Sequence, residues 1–166
     1  GQSQTRVISV RAAGRTLPLR VSLVWTDPPG KPAAGVKLVN DLDLVVTNLD
    51  DPAHPIVYYG NDIPSGTVTI ASDTNGPPNF DSVNNVENVY LDPVVGANYS
   101  VTVFARRVNV NAVTGQTNNV VQDYALVIAS GDGQIINALT LTEQPVVAVN
   151  VPYVTPVTNS LAGNTT

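Results

Sequence analysis

The sequence predicts an all-β domain, a sandwich or a barrel, with almost no helix. Three observations carry this. Short runs alternate apolar and polar residues with a period of two. Glycine and proline, 12 and 13 of 166 residues, separate those runs. No window holds a 3.6-residue apolar period.

Taken in order, residues 5–10 alternate weakly, with Val7 and Val10 apolar, and read as an edge strand. Residues 18–26 form a stronger one, with Leu19, Val21, Leu23 and Trp25 on one face because side chains two apart point the same way. Trp25, the only tryptophan, reads as a core anchor. Asp27-Pro28-Pro29-Gly30 stops this strand, since proline cannot donate to a ladder. A third strand covers 38–47 and a short fourth 56–59, ended by Gly60-Asn61-Asp62. Residues 67–71 are a further strand or part of an insertion, and 72–82 are loop, with an Asn75-Gly76 turn and a Pro77-Pro78 break. Strands at 86–91, 98–105 and 122–129 complete the set. The domain is expected to end at residue 132. Residues 133–166, rich in Thr, Val, Pro and Asn, are expected to be a linker, extra strands on the sandwich, or the start of another module.

Charge and composition narrow the function classes. The net charge is −5, and no lysine or arginine falls between Lys37 and Arg106, where nine acidic residues lie. Such a block repels polyanions and disfavours nucleic acid. With no cysteine, neither a disulfide framework nor a thiolate metal site is available. No stretch is apolar for 18 or more residues, so no helical membrane span is expected. The Gly1 start and the lack of methionine suggest an excised or mature piece.

Within the acidic block, Asp41 and Asp43 share a face at the start of the third strand, opposite Leu42, Leu44 and Val46. Asn85 and Glu87 form a second same-face oxygen pair. Carboxylates flanked by amides, with no basic neighbour in sequence, suit a hard cation such as calcium, which takes six to eight oxygens. The plainer reading is that they are polar strand ends, charged against edge pairing. His54, the only histidine, sits in a loop before Pro55 and reads as exposed.

Six short motifs occur in one order: Leu23-Val24-Trp25-Thr26-Asp27-Pro28-Pro29-Gly30; Leu38-Val39-Asn40-Asp41-Leu42-Asp43-Leu44; Tyr59-Gly60-Asn61-Asp62; Asn84-Asn85-Val86-Glu87-Asn88-Val89; Gly96-Ala97-Asn98-Tyr99-Ser100-Val101; and Gln122-Asp123-Tyr124-Ala125-Leu126-Val127. Over residues 17–131 this pattern closely resembles the C-terminal jelly-roll β-sandwich that follows the catalytic domain in bacterial subtilisin-like serine proteases. It is similar, more distantly, to the P-domain of kexin-type proteases. The resemblance implies an antiparallel jelly-roll sandwich and a secreted or cell-surface location. It also implies a non-catalytic role, stabilising or orienting an N-terminal protease domain of the same polypeptide. As a fragment, the chain is expected to be a monomer.

The resemblance further implies calcium at Asp41, Asp43, Asn85 and Glu87, with Asp27, Asn40 and Asp62 as additional donors. The family's catalytic part is missing. Its Gly-Thr-Ser-Met-Ala nucleophile motif cannot occur without methionine, and its histidine motif has glycine after the base, where this chain has Pro55. Two rival readings remain. One is a carbohydrate- or polymer-binding sandwich using Tyr58, Tyr59 and Tyr90. The other is an enzyme using its paired carboxylates for acid–base work, against which both pairs sit beside asparagines rather than in an aromatic cleft.

Overall fold

The computed structural model describes residues 2–73 and 75–143. Eight strands form two antiparallel sheets, and among the described residues there is no α-helix. The strands are β1 (Ser3–Val10), β2 (Leu19–Val24), β3 (Asp41–Asn48), β4 (Ile56–Tyr59), β5 (Val86–Leu91), β6 (Asn98–Arg107), β7 (Ala125–Ala129) and β8 (Ile135–Glu143). The first sheet runs β4-β3-β6-β1-β8 and the second β5-β2-β7. Only β3 and β4 are consecutive neighbours in one sheet; the other connections pass between the sheets.

The period-two pattern explains how the sheets pack. In β2, Leu19, Val21 and Leu23 are buried while Arg20 and Ser22 are not. In β6, Tyr99, Val101 and Val103 point the same way, toward Ile8, Val10, Leu42, Leu44 and Val46 of their own sheet and Val89 and Leu91 of the other. Trp25 joins this core just past β2, and its indole N–H donates to the Asn40 carbonyl at 3.1 Å. At about 25 cal/mol per Å² of apolar area removed from water, a core of this kind is what holds the sandwich closed.

One expectation is corrected. β1 is not an edge strand, because β6 and β8 flank it on both sides. Both neighbours are distant in sequence, so a local pattern could not show them. Residues 67–71 form no strand, although Thr69 lies along β5: its amide donates to Tyr90 O at 2.8 Å and its hydroxyl accepts from Tyr90 N at 2.9 Å. β8 lies beyond the boundary expected at residue 132 and pairs with β1 from Val10↔Ile135 to Gln4↔Glu143. Ile135–Glu143 is thus a strand of the first sheet; residues 144–166 lie outside the described residues.

Candidate functional site

Four members of the acidic block, Asp41, Asp43, Asp81 and Glu87, converge at one corner of the sandwich, where β4 of the first sheet meets β5 of the second. The crossing is made by Gly60 and Asn61. Gly60 N donates to Leu44 O at 2.9 Å, continuing the β3 ladder one residue past β4. Asn61 then turns away in the left-handed region, at φ 59°, which asparagine tolerates better than most residues. Its amide donates to Asn88 O at 2.9 Å and its side-chain oxygen accepts from Asn88 N at 3.0 Å. Asn61 thus completes the free edge of β5.

Glu87 projects from β5 into this corner and is almost fully buried. Its Oε2 accepts from Leu44 N at 2.6 Å, so Gly60 takes the Leu44 carbonyl and Glu87 takes the Leu44 amide. Its Oε1 has no hydrogen-bond partner. Burial raises the Glu87 carboxyl to about 8; the Leu44 bond opposes this, and the nearby Asp43, Asp81 and Asp41 add to it.

Asp41 and Asp43 share the opposite face of β3, as alternation requires, yet both are 1% exposed. The reason is a cover the sequence did not reveal. β3 pairs with β6 so that Asp43 faces Phe104 and Asp41 faces Arg107. This brings two guanidinium groups over the aspartates. Arg106 makes a two-point bond to Asp43, with Nε 2.9 Å from Oδ2 and Nη2 on Oδ1. Arg106 Nε and Arg107 Nη2 each lie 3.7 Å from Asp41 Oδ2. The Phe80 ring stacks on Arg106 at 4.6 Å, and Tyr59 meets Phe80 edge-on at 5.0 Å. Burial pushes both aspartates above the usual carboxylate range, against the pull of the guanidinium groups.

Asp81 behaves differently. Burial works against its charged form, but donors from the Asn61 and Asn84 side chains and the Val83 and Asn84 amides outweigh it and lower its pKa. Beside it an open cleft of about 200 Å³ is lined by Gly60, Asn61, Asp62, Asn79, Phe80 and Asp81.

The seven residues expected to hold calcium therefore divide into separate tasks. Asp43 is held by Arg106. Asp27 accepts from Val39 N and Asn40 N, closing the proline loop. Asn40 is fully buried and saturated, donating to Val110 O and Gln122 Oε1 and accepting from Asn109 N and Val110 N. The exposed Asn85 donates to Trp25 O at 2.9 Å, and Asp62 lies on the cleft wall. Among the described residues no group of three or more acidic or imidazole side chains is arranged to hold a metal ion.

The three tyrosines of the polymer-binding reading do not share a surface. Tyr58 packs against the core, Tyr59 packs outside on Phe80, and Tyr90 lies on the other sheet under the Arg20 guanidinium at 4.7 Å. Tyr59→Ala is expected to cost about 1–2 kcal/mol in stability through the lost ring contact. Binding to an insoluble-glycan panel is expected not to change; a specific loss of binding would revive that reading.

Gly60, Asn61, Phe80, Asp81 and Arg106 are the members of this corner that sequence reasoning did not single out as site residues. The Tyr59-Gly60-Asn61-Asp62 motif was the available signal for the first two. Nothing local signalled Arg106, which lies 63 residues from Asp43.

Similarity to known proteins covers part of the chain. The sequence is 39% identical over 82 residues, 49% of its length, to the serine protease/ABC transporter B family protein tagB of Dictyostelium discoideum. It is 37% identical over 73 residues (44%) to tagD and 33% identical over 115 residues (68%) to tagA, which carry the same description in that organism. The chain resembles one segment of these proteins. It spans 4% of tagB and of tagD and 6% of tagA. No protein-family model matches it. The relatives are not bacterial, so a bacterial origin gains no support from them.

Proposed function

We propose that this β-sandwich is a non-catalytic accessory domain of a larger extracellular polypeptide, stabilising or orienting a subtilisin-like serine protease domain that precedes it. The observation that carries the reading is the 33% identity to tagA over 68% of the chain, in a protein described as a serine protease/ABC transporter B family protein. The architecture agrees with it. The most buried polar groups are engaged in joining strands and sheets rather than lining a reaction cleft. His54 stands in the loop before β4, its side chain 86% exposed and its Nδ1 3.0 Å from Asp51 Oδ2. A triad histidine needs a serine hydroxyl on its other nitrogen, and among the described residues no serine hydroxyl bonds to His54.

Deleting residues 1–143 from the parent protein tests this. The deletion is expected to shorten the half-life of protease activity on heating and to lower the yield of active enzyme. kcat/KM toward a small peptide should hardly change in the molecules that do fold. Unchanged heat inactivation and yield would remove the accessory role. Peptide hydrolysis by the isolated chain would remove its non-catalytic character.

A further inference from the structure

We propose that Arg106 is the built-in cation of the corner between β3, β6 and the Phe80–Asp81 loop, standing in place of a bound divalent ion and making the fold independent of calcium. This one guanidinium reaches oxygens on three residues. It bonds both oxygens of Asp43, lies 3.7 Å from Asp41 Oδ2, and sits 3.4 Å from the Asp81 carbonyl. These oxygens come from β3 and from a loop about forty residues away, and a cation placed here ties them together. A planar fork that meets a carboxylate at two points does this with fixed geometry, which a Lys ammonium would not.

Three further features fit a resident side chain rather than an exchangeable ion. The Phe80 ring closes the outer side of the guanidinium at 4.6 Å. Arg107 adds a second positive charge 3.7 Å from Asp41, so the two buried aspartates face two guanidinium groups. Arg107 pairs with Asp41 in the β3–β6 ladder and Arg106 sits where that register shifts, between Ala105 and Arg107, so the charge is delivered by sheet formation itself. The oxygens a metal would need elsewhere, at Asp27 and Asn40, accept hydrogen bonds within the fold. This inference does not depend on the protease-linked role, and either can fail without the other.

The test is a set of thermal melts of the full 166-residue chain. Wild-type, Arg106→Gln, Asp43→Asn and the double variant are each melted in EDTA and in millimolar calcium. The wild-type midpoint is expected to be the same in both buffers, and calorimetric titration with calcium should show no binding. Arg106→Gln leaves the buried Asp43 carboxylate without its counter-ion and should lower the midpoint by about 10 °C. The double variant should recover most of that loss, because the amide in place of Asp43 carries no charge to neutralise. If Arg106→Gln does not fold at all, a folded double variant gives the same support. A wild-type midpoint that rises by several degrees in calcium would overturn the proposal. So would a double variant no better than Arg106→Gln.

Discussion

The stability of this domain should fall as the pH is raised from about 4.5 to about 8, and Glu87→Gln should remove most of that fall. In the folded chain Glu87 holds its proton up to about 8, against 4.5 in the ordinary state. Between those values the native state binds more protons than the unfolded one, so stability falls with rising pH. Below about 4.5 the contribution is fully present; above about 8 it is lost. Two observations give the cause. The side chain is 1% exposed, and only one of its oxygens has a donor, the Leu44 amide at 2.6 Å. Ionising it there means desolvating a charge beside Asp43, Asp81 and Asp41. The loss is on the order of a few kcal/mol. Glutamine keeps an acceptor for Leu44 N and has no proton to lose, so the variant should match wild type at pH 5 and exceed it at pH 8.5. Denaturant titrations at pH 5, 7 and 8.5 read this directly. A wild-type profile that is flat across this range, or a variant with the same slope, would contradict it. Asp81 works in the opposite sense and in a different window: its lowered pKa adds stability that is lost only on acidification below the usual carboxylate range.

Gly60→Ala should destabilise the domain by about 2–4 kcal/mol, near the upper end for one inserted methyl group. A Cβ at this position would lie 2.8 Å from Glu87 Cβ and 2.9 Å from its Cδ, and would run into Oε2. The neighbouring groups have little room to yield. Gly60 N is fixed to Leu44 O, Asn61 is bonded to Asn88 on both sides, and Glu87 is fixed to Leu44 N. The two perturbations should couple, because both act on the same contact. Adding Glu87→Ala to Gly60→Ala relieves the clash with the carboxylate but not with Cβ, so the double variant should cost less than the sum of the singles, by roughly 1 kcal/mol. Strict additivity in denaturant melts would show that the backbone at Gly60 moves away instead of pressing on Glu87.

Much of the sandwich could be read from the residues because strand alternation is a local property. Leu19, Val21 and Leu23 announce a buried face within six residues, and the Pro28-Pro29 break shows where that strand cannot continue. The adjacent Tyr58-Tyr59 pair had to send one ring out of the core, and Tyr59 is the one that leaves. Pairing between distant strands was not visible in this way. β1 looked like an edge because its weak alternation says nothing of the β6 and β8 backbones beside it. The candidate carboxylates show both sides of this limit. Asp41, Asp43 and Glu87 were singled out from same-face oxygen pairs, and all three are buried at one corner. The chain near them holds no base, so the sequence alone points to a metal for their counter-charge.

By itself, then, the sequence determined the all-β class, most of the strands and their inward faces, and the acidic residues that had to be neutralised. The tertiary structure alone decided what neutralises them. Sheet register, not sequence distance, sets which side chains meet, and the antiparallel pairing of β3 with β6 lays Arg106 and Arg107 across Asp43 and Asp41. Burial then turns that neighbourhood into a requirement, since a carboxylate removed from water must find a partner or keep its proton. The two aspartates found guanidinium groups, and Glu87, with one amide and no cation, keeps its proton.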